Sequence, residues 1–320
     1  MVDIEKTLSD LALAMQDHRE ALADRGPARA IADGPAPNTP LHARLERLTG
    51  WRTDGVLGAK LDAALALLDP AERDARIAAL DPLDWDHPEW LDLIEGLVTS
   101  ETYLFRDPEQ LALVAGAGLA PLIAAARDAA RPALRLWSAG CASGEEAYSL
   151  AVLALEALVG AGIAREREHD VTLEPGWTLE VLGTDISRPL LAVARAGRYD
   201  TGPLSAFRAT SAPRLRFFPI RNTTASRADR RVRADIARHV RFAHANLTRM
   251  SLPAGSLDVV ACRNVLVYFG SAARATVLAN LEAAVRPGGL LLLGATDTPP
   301  DPHRFEALWG AATVVYRRRA

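Results

Sequence analysis

Cysteine is scarce in this chain of 320 residues, which has only Cys141 and Cys262. They are far apart and form no CxxC, so no disulfide framework is expected and a reducing, cytoplasmic setting is the default. Lysine is nearly missing as well. Of 37 basic residues only Lys6 and Lys60 are lysines, and the rest are arginine. In so alanine-rich a chain, this reads as a coding bias before any need for guanidinium groups. A long hydrophobic run is also lacking. The most apolar stretch, residues 111–126, contains Pro121 and two glycines and is too short for a membrane span, so no membrane insertion is expected. The N-terminus opens on Asp3, Glu5 and Lys6 rather than on the basic-then-apolar pattern of a secretory leader. Charge of one sign is lacking too: a net charge of −3 carries no overall polyanion-binding signature. The expectation is a cytoplasmic monomer.

What is present is ordinary globular material, 49% apolar and 24% charged, enough for a large domain and a smaller one. Ile4, Leu8, Leu11, Met15 and Leu22 are spaced as on one helical face over 3–24. A Pro/Gly linker follows and brings this first segment to residue 40. From 41 to 98 the pattern is helical again, with breaks at Gly50, Gly55, Pro70 and Pro82, which predicts a small helical domain. From 99 to the end, short aliphatic runs alternate with alanine-rich helical stretches. Strands are expected at 134–138, 179–183, 240–244, 257–262 and 290–294, with helices near 144–160, 187–196 and 271–285. This alternation predicts an α/β fold with a mostly parallel, doubly wound sheet. Ligands bind such sheets beyond the carboxyl ends of the strands. Residues 201–241 break the alternation. Ten arginines there face only Asp229 and Asp235, a local charge near +8 against about −11 for the remainder.

Three strand ends carry candidate chemistry. The first strand runs into WSAGCASGEE at 137–146. Small residues let a ligand approach the backbone, and the following helix offers its N-terminal amides. The spacing is Gly140-x-x-x-Gly144 rather than GxGxxG. Glu145 and Glu146 at the helix start repel a pyrophosphate but favour an ammonium; alternatively, they simply stabilise the first turn. The second strand ends at Asp185, placed either to accept bonds from ribose hydroxyls or to cap the helix near Ser187. The fourth ends in CRNVLVYF at 262–269. There Asn264 can bond a cofactor and Tyr268, four residues on, can face the same cleft; the same pair can equally finish a strand and pack as core. The seven histidines are scattered, with no His/Asp dyad and no metal-ligand cluster, so no metal is expected.

At these residues the chain resembles the CheR-type chemotaxis receptor methyltransferases. The resemblance rests on TSETYLFR at 99–106, WSAGCASGEEAYSLA at 137–151, GTDIS at 183–187, FAHANL at 242–247 and CRNVLVYF at 262–269, and covers about 85–298. It implies a Rossmann-like sheet of the class I methyltransferase type, with a small antiparallel β insertion and a helical N-terminal domain. It implies S-adenosylmethionine as cofactor, S-adenosylhomocysteine as product, and transfer of a methyl group to receptor glutamates. Ser100 (often asparagine in the family), Thr102 and Arg106 would reach the cofactor from the segment entering the sheet, past the Gly140 turn. Glu145 matches the acid near the methionine amino group and Asp185 the ribose acid. Asn246 and Leu247 match the pair beside the adenine, Asn264 and Val265 the pair closing over the cofactor. Tyr268 matches a tyrosine near the transferred methyl and, with Arg106, a catalytic role. Arg127 aligns poorly with a family arginine near the site. The implied partner is the acidic helical region of a methyl-accepting receptor or related signalling protein.

The basic 201–241 segment would steer such a partner; the plain reading is a solvated loop. With only Phe207, Phe217, Phe218 and Phe242 as aromatics, no nucleic-acid partner is expected. Alternatives are a methyltransferase of this type acting on another acceptor and a non-catalytic, cofactor-binding scaffold.

Overall fold

Among the described residues, proline opens three of the first four helices: α1 (Pro40–Thr49), α3 (Pro70–Leu80) and α4 (Pro88–Leu97), with α2 (Val56–Leu65) between the first two. At that position its missing N–H costs no intrahelical bond. The helices belong to a computed structural model that describes residues 40–320 except Thr99, Arg131, His169, Ala225 and Ser226, with backbone only at 221–224 and 227. The helix expected over 3–24 and its linker as far as residue 39 lie outside the described residues, and Pro40, expected at the linker's end, opens α1. Asp69 caps α3 by accepting from the amides of Ala71 and Glu72, at 2.8 and 3.0 Å. Leu41, Leu45 and Leu48, then Leu57, Leu61 and Leu65, then Trp90, Ile94 and Leu97 recur at helical spacing and are all buried. The Trp90 indole satisfies its donor on the Leu80 carbonyl at 2.9 Å. The described residues of this unit before Ser100 are joined by Tyr268–Ala275, through a bridge between Trp51 and Phe269.

The second unit holds Ser100–Val267 and Thr276–Ala320. It opens with α5 (Pro108–Leu113), a π turn (Val114–Gly118) and α6 (Leu119–Arg127), one helical run of 20 residues. By length and a mean hydropathy of 1.5 this run suffices to cross a membrane, which the sequence reading did not expect. The reading broke the run at its glycines and Pro121. The π turn shifts the hydrogen-bond register just before Pro121 and lets the helix continue. One face, with Leu111, Val114, Leu119, Leu122 and Ile123, packs into the core formed around the sheet.

The sheet strands are β1 (Ala133–Ala139), β4 (Thr178–Asp185), β8 (Val240–His244), β9 (Leu257–Cys262), β10 (Val285–Leu293), β11 (Phe305–Trp309) and β12 (Val314–Arg318). Their order is β11-β12-β10-β9-β1-β4-β8. β10, β9, β1, β4 and β8 are parallel, and β12 and β11 add antiparallel at one edge. β1 is therefore central. The chain proceeds from it to β4 and β8 on one side and to β9 and β10 on the other, so the topological switch lies between β1 and β9. Every residue of β9 is buried, as its continuous apolar run requires. Its one acid, Asp258, accepts from the Arg135 amide at 2.6 Å and pairs with Arg286.

Three features were not read from the sequence. Pro287–Gly289 lie inside β10, where the register shifts between Val285 and Leu290. The β11/β12 edge went unseen because its five-residue strands mix Glu306, Arg317 and Arg318 with apolar residues. The hairpin of β2 (Ala164–Arg167) and β3 (Asp170–Leu173) has only four residues a side.

The basic insertion forms a separate antiparallel sheet, in the order β5 (Arg198–Asp200), β7 (Arg227–Arg231), β6 (Ile220–Thr224). It thus begins before residue 201. Much of its charge is neutralised locally. Arg208 pairs with Glu101, Arg214 with Glu156, Arg216 with Glu156 and Glu166, Arg233 with Asp235, and Arg238 with Asp170. Its aromatics turn inward: Phe217 and Phe218 are buried, and Phe207 stands edge-on to Phe218 at 5.5 Å.

Candidate active site

The turn after β1 is shaped by the end of β4. The amides of Gly140 and Cys141 both donate to the Thr184 carbonyl, at 2.8 and 2.9 Å, and the Gly144 amide returns to the Cys141 carbonyl at 2.9 Å. Gly140 has φ +79°, and a Cβ there would stand 2.5 Å from Val265 Cγ2. Glycine is thus required both by the backbone and by the Val265 side chain, which lies beyond the end of β9. This is where the two sequence-predicted residues Gly140 and Val265 meet, directly over the switch point.

Helix α7 (Glu145–Gly160) starts at this turn. Glu145 is 4% exposed and accepts from Ser143 Oγ at 2.7 Å. Burial pushes its carboxyl above the ordinary range, against the opposing pull of Ser143 and Arg208. Glu146 points elsewhere, accepting from Ser138 Oγ and Arg263 Nε, each at 2.7 Å. Asp185 ends β4 and accepts from the Ala142 amide at 2.8 Å and the Ser187 amide at 2.9 Å. Burial raises its carboxyl as well, outweighing those backbone bonds and the nearby His244. The cap of helix α8 (Arg188–Ala196) is Ser187, whose Oγ accepts from the Leu190 amide. Asp185 is therefore not that helix's cap; it braces the Gly140 turn through Ala142 and keeps further lone pairs for a ligand.

Asn264, at the exit of β9, adopts φ +60°, and its buried Oδ1 has no hydrogen-bond partner. A buried amide oxygen left this way is costly unless a ligand donor meets it. Asn246 differs: its Oδ1 accepts from the Thr248 amide and hydroxyl, at 3.0 and 2.7 Å, and so closes its own turn after β8, next to buried Leu247.

The segment carrying Ser100, Thr102 and Arg106 docks on α7, where the Phe105 amide donates to Ser149 Oγ at 2.8 Å. Thr102, Ser143, Glu145, Arg198, Tyr199 and Asp229 line a cavity of about 500 Å³. Arg106 donates to the Glu101 carbonyl and lies 5.8 Å from the Tyr103 ring centroid. Tyr268 falls in the helical unit, 38% exposed, where its carbonyl accepts from the Arg52 amide at 2.8 Å. Arg127 donates to the Ala161 carbonyl beyond the far end of α7, about 24 Å along a 16-residue helix from Glu145, and so lies away from the strand ends.

Phe105, Asp107, Ala142 and Asn264 are the only non-glycine residues with positive φ among those described. Two flank Arg106, one holds Asp185 and one is itself a predicted site residue. Such backbone persists where the surroundings over-determine it, which is commonest at binding sites. Sequence reasoning missed Ala142, Ser149 and Tyr199, whose hydroxyl donates to the Ser143 carbonyl at 2.7 Å. Nothing in their spacing marks them, because their roles come from backbone geometry and long-range contact. Among the described histidines, His239 and His244 each place a ring nitrogen against a backbone carbonyl, Leu179 and Ile186 respectively. The site is therefore rich in acceptors: the buried Glu145 carboxyl, the half-buried Asp185 carboxyl and an orphaned amide oxygen around a backbone clearing. It fits a ligand that carries donors and positive charge.

Residues 100–313 match the family described as CheR methyltransferase, SAM binding domain. Chemotaxis protein methyltransferase 1 of Pseudomonas aeruginosa is 31% identical over 229 residues, 71% of this chain and 77% of the relative. A protein of the same name from Vibrio cholerae is 32% identical over 274 residues, 85% of this chain and 86% of the relative. Chemotaxis protein methyltransferase of Vibrio parahaemolyticus is 33% identical over 246 residues, 77% of each.

Proposed function

The chain belongs to the CheR methyltransferase family, and on that premise we propose that it esterifies glutamate side chains of a methyl-accepting receptor or related signalling protein. S-adenosylmethionine is the cofactor; when bound, it supplies a methyl group on a sulfonium centre. The observation that carries the reading is the acceptor-rich cluster of Glu145, Asp185 and Asn264 around Gly140, inside the residues matched to the family.

The cofactor's donors are an ammonium, two ribose hydroxyls and an adenine amine. Glu145, at the start of α7, receives the ammonium, and Asp185 receives the ribose hydroxyls. Asn264 Oδ1 takes a remaining donor, while Gly140 and Val265 set the clearance above the sheet. Asn246 and Leu247 stand beside the adenine, and Ser100, Thr102 and Arg106 close the site from the segment docked on α7. Positive charge on the ligand also relieves the two carboxyls that burial holds up.

A glutamate acceptor suits this arrangement. Its reference pKa is ~4.3, so at pH 7 it is already ionised and the protein need supply no general base. What remains for the protein is to align the two reactants and exclude water from them. The names of the relatives support an acceptor in a chemosensory system.

The test is incubation of the protein with methyl-labelled cofactor and receptor cytoplasmic fragments. Base-labile label on glutamate is the expected result. Base-stable label on another acceptor would overturn the assignment, and cofactor binding without any transfer would leave a scaffold.

A further inference from the structure

Arg263 leaves β9 and turns inward until its side chain is 2% exposed. Its Nε donates to Glu146 Oε2 at 2.7 Å, and its Nη1 donates to the Arg106 carbonyl at 2.8 Å. Asp107 Oδ2 and Gln110 Oε1 lie 3.4 and 3.5 Å from the same nitrogen. Glu146 in turn accepts from Ser138 at the end of β1, and Gln110 donates to the Leu293 and Val314 carbonyls, at 3.0 and 2.9 Å. One guanidinium thus joins the ends of β1 and β9, the first turn of α7 and the segment that bears Arg106.

That segment needs holding. Phe105 and Asp107, on either side of Arg106, have φ of 58° and 53°, backbone that side-chain-bearing residues rarely adopt. Two side-chain bonds hold it at Phe105 and Arg106, beside the backbone bond from the Leu104 amide to the Ala206 carbonyl: Arg263 on the Arg106 carbonyl, and Ser149 Oγ on the Phe105 amide, with Ser149 itself donating to the Glu145 carbonyl at 2.6 Å. Lysine cannot reproduce the first, because its point charge serves the buried Glu146 carboxylate but has no second arm directed at a carbonyl.

We propose that Arg263 is a positioning residue: by clamping the Arg106 carbonyl between two left-handed residues, it sets where the Arg106 guanidinium stands against bound cofactor. It acts through Arg106 and touches no ligand itself. The proposal rests on the reading that Arg106 reaches the cofactor.

The experiment is calorimetric titration of S-adenosylhomocysteine into the full chain as wild type, Arg106→Ala, Arg263→Lys and the double variant. Both single variants are expected to weaken binding, Arg263→Lys by roughly tenfold, with the double variant no weaker than Arg106→Ala alone. Losses that multiply, or Arg263→Lys binding as wild type beside a weakened Arg106→Ala, would overturn the clamp while leaving the reading of Arg106 intact. An Arg106→Ala variant that binds as wild type would overturn both. If Arg263→Lys does not fold, Ser149→Ala cuts the other pin without disturbing the buried ion pair, and the same non-additivity with Arg106→Ala is expected of it. A merely structural contribution would be additive in either cycle.

Discussion

In the proposed site, the two carboxylates Asp185 and Glu145 divide their work. Asp185 already braces the Gly140 turn through the Ala142 amide, so its replacement touches both the fold and the ligand. Asp185→Ala is expected to weaken S-adenosylhomocysteine binding by ~1.5–3 kcal/mol, the range for a lost charged hydrogen bond; calorimetry checks it, and unchanged affinity would reject the ribose role. The Glu145 carboxyl accepts from Ser143 and is raised by burial. Between its unfolded pKa and its higher folded one, the native state holds more protons than the unfolded state. Wild-type stability therefore falls as pH rises through that window and stays lower above it. Glu145→Gln removes this contribution and keeps the Ser143 contact through its amide oxygen. Ligand-free Glu145→Gln should match wild type near pH 4 and melt higher at pH 7, yet bind cofactor more weakly. Thermal melts across pH decide this, and parallel wild-type and variant curves would refute it.

At the scale of elements, the insertion is the instructive case. Its composition announces a basic face, but Arg214, Arg216, Arg233 and Arg238 are engaged by Glu156, Glu166, Asp235 and Asp170. The pairs to Glu156, Glu166 and Asp170 fasten the small sheet and its flanks to the rest of the second unit, and Arg233–Asp235 closes within the insertion itself. Steering of an acidic partner must come from other positions, and Arg231 and Arg241 are exposed. Reversing both to glutamate should slow methylation of an acidic receptor fragment by about tenfold at low salt, with the gap closing as salt is raised. Reversing Arg214 instead should lower the melting temperature, since Glu156 then faces a like charge. A methylation rate insensitive to both charge and salt would make the insertion scaffold alone. Helix α7 gives the opposite lesson. Eleven of its sixteen residues are buried, so its apolar run marks a core helix whatever lies at its N-terminus.

For the whole molecule, the cofactor is expected to be a large part of the stability. S-adenosylhomocysteine at 100 times its Kd should add about 2.7 kcal/mol, a rise of about 5–10 °C in the second unit's melting temperature. Asp185→Ala should forfeit most of that rise at the same ligand concentration. The net charge of −3 hides a strongly polar distribution, with the insertion near +8 and the remainder near −11. Local ion pairing, rather than the global sum, decides how much of that polarity a partner meets.

Much of the second unit was legible because β1, β9 and β10 carry aliphatic runs that the sheet buries. β8 and β9 fall at the expected residues, and β1, β4 and β10 within a few. The strand-end residues Gly140, Asp185 and Asn264 were legible for the same reason: once the strands are placed, whatever follows them sits at the ligand-binding edge. The β11/β12 edge, the β2/β3 hairpin and the π turn before Pro121 were not, because short exposed strands and register shifts have no period to read. The sequence by itself determined which side chains stand at the strand ends. Only the tertiary structure decided that Asn264 has an orphaned oxygen while Asn246 is spent on its own turn, and that Arg263 grips Arg106. Those outcomes depend on contacts between residues far apart in the chain, and on backbone angles that composition and spacing do not encode.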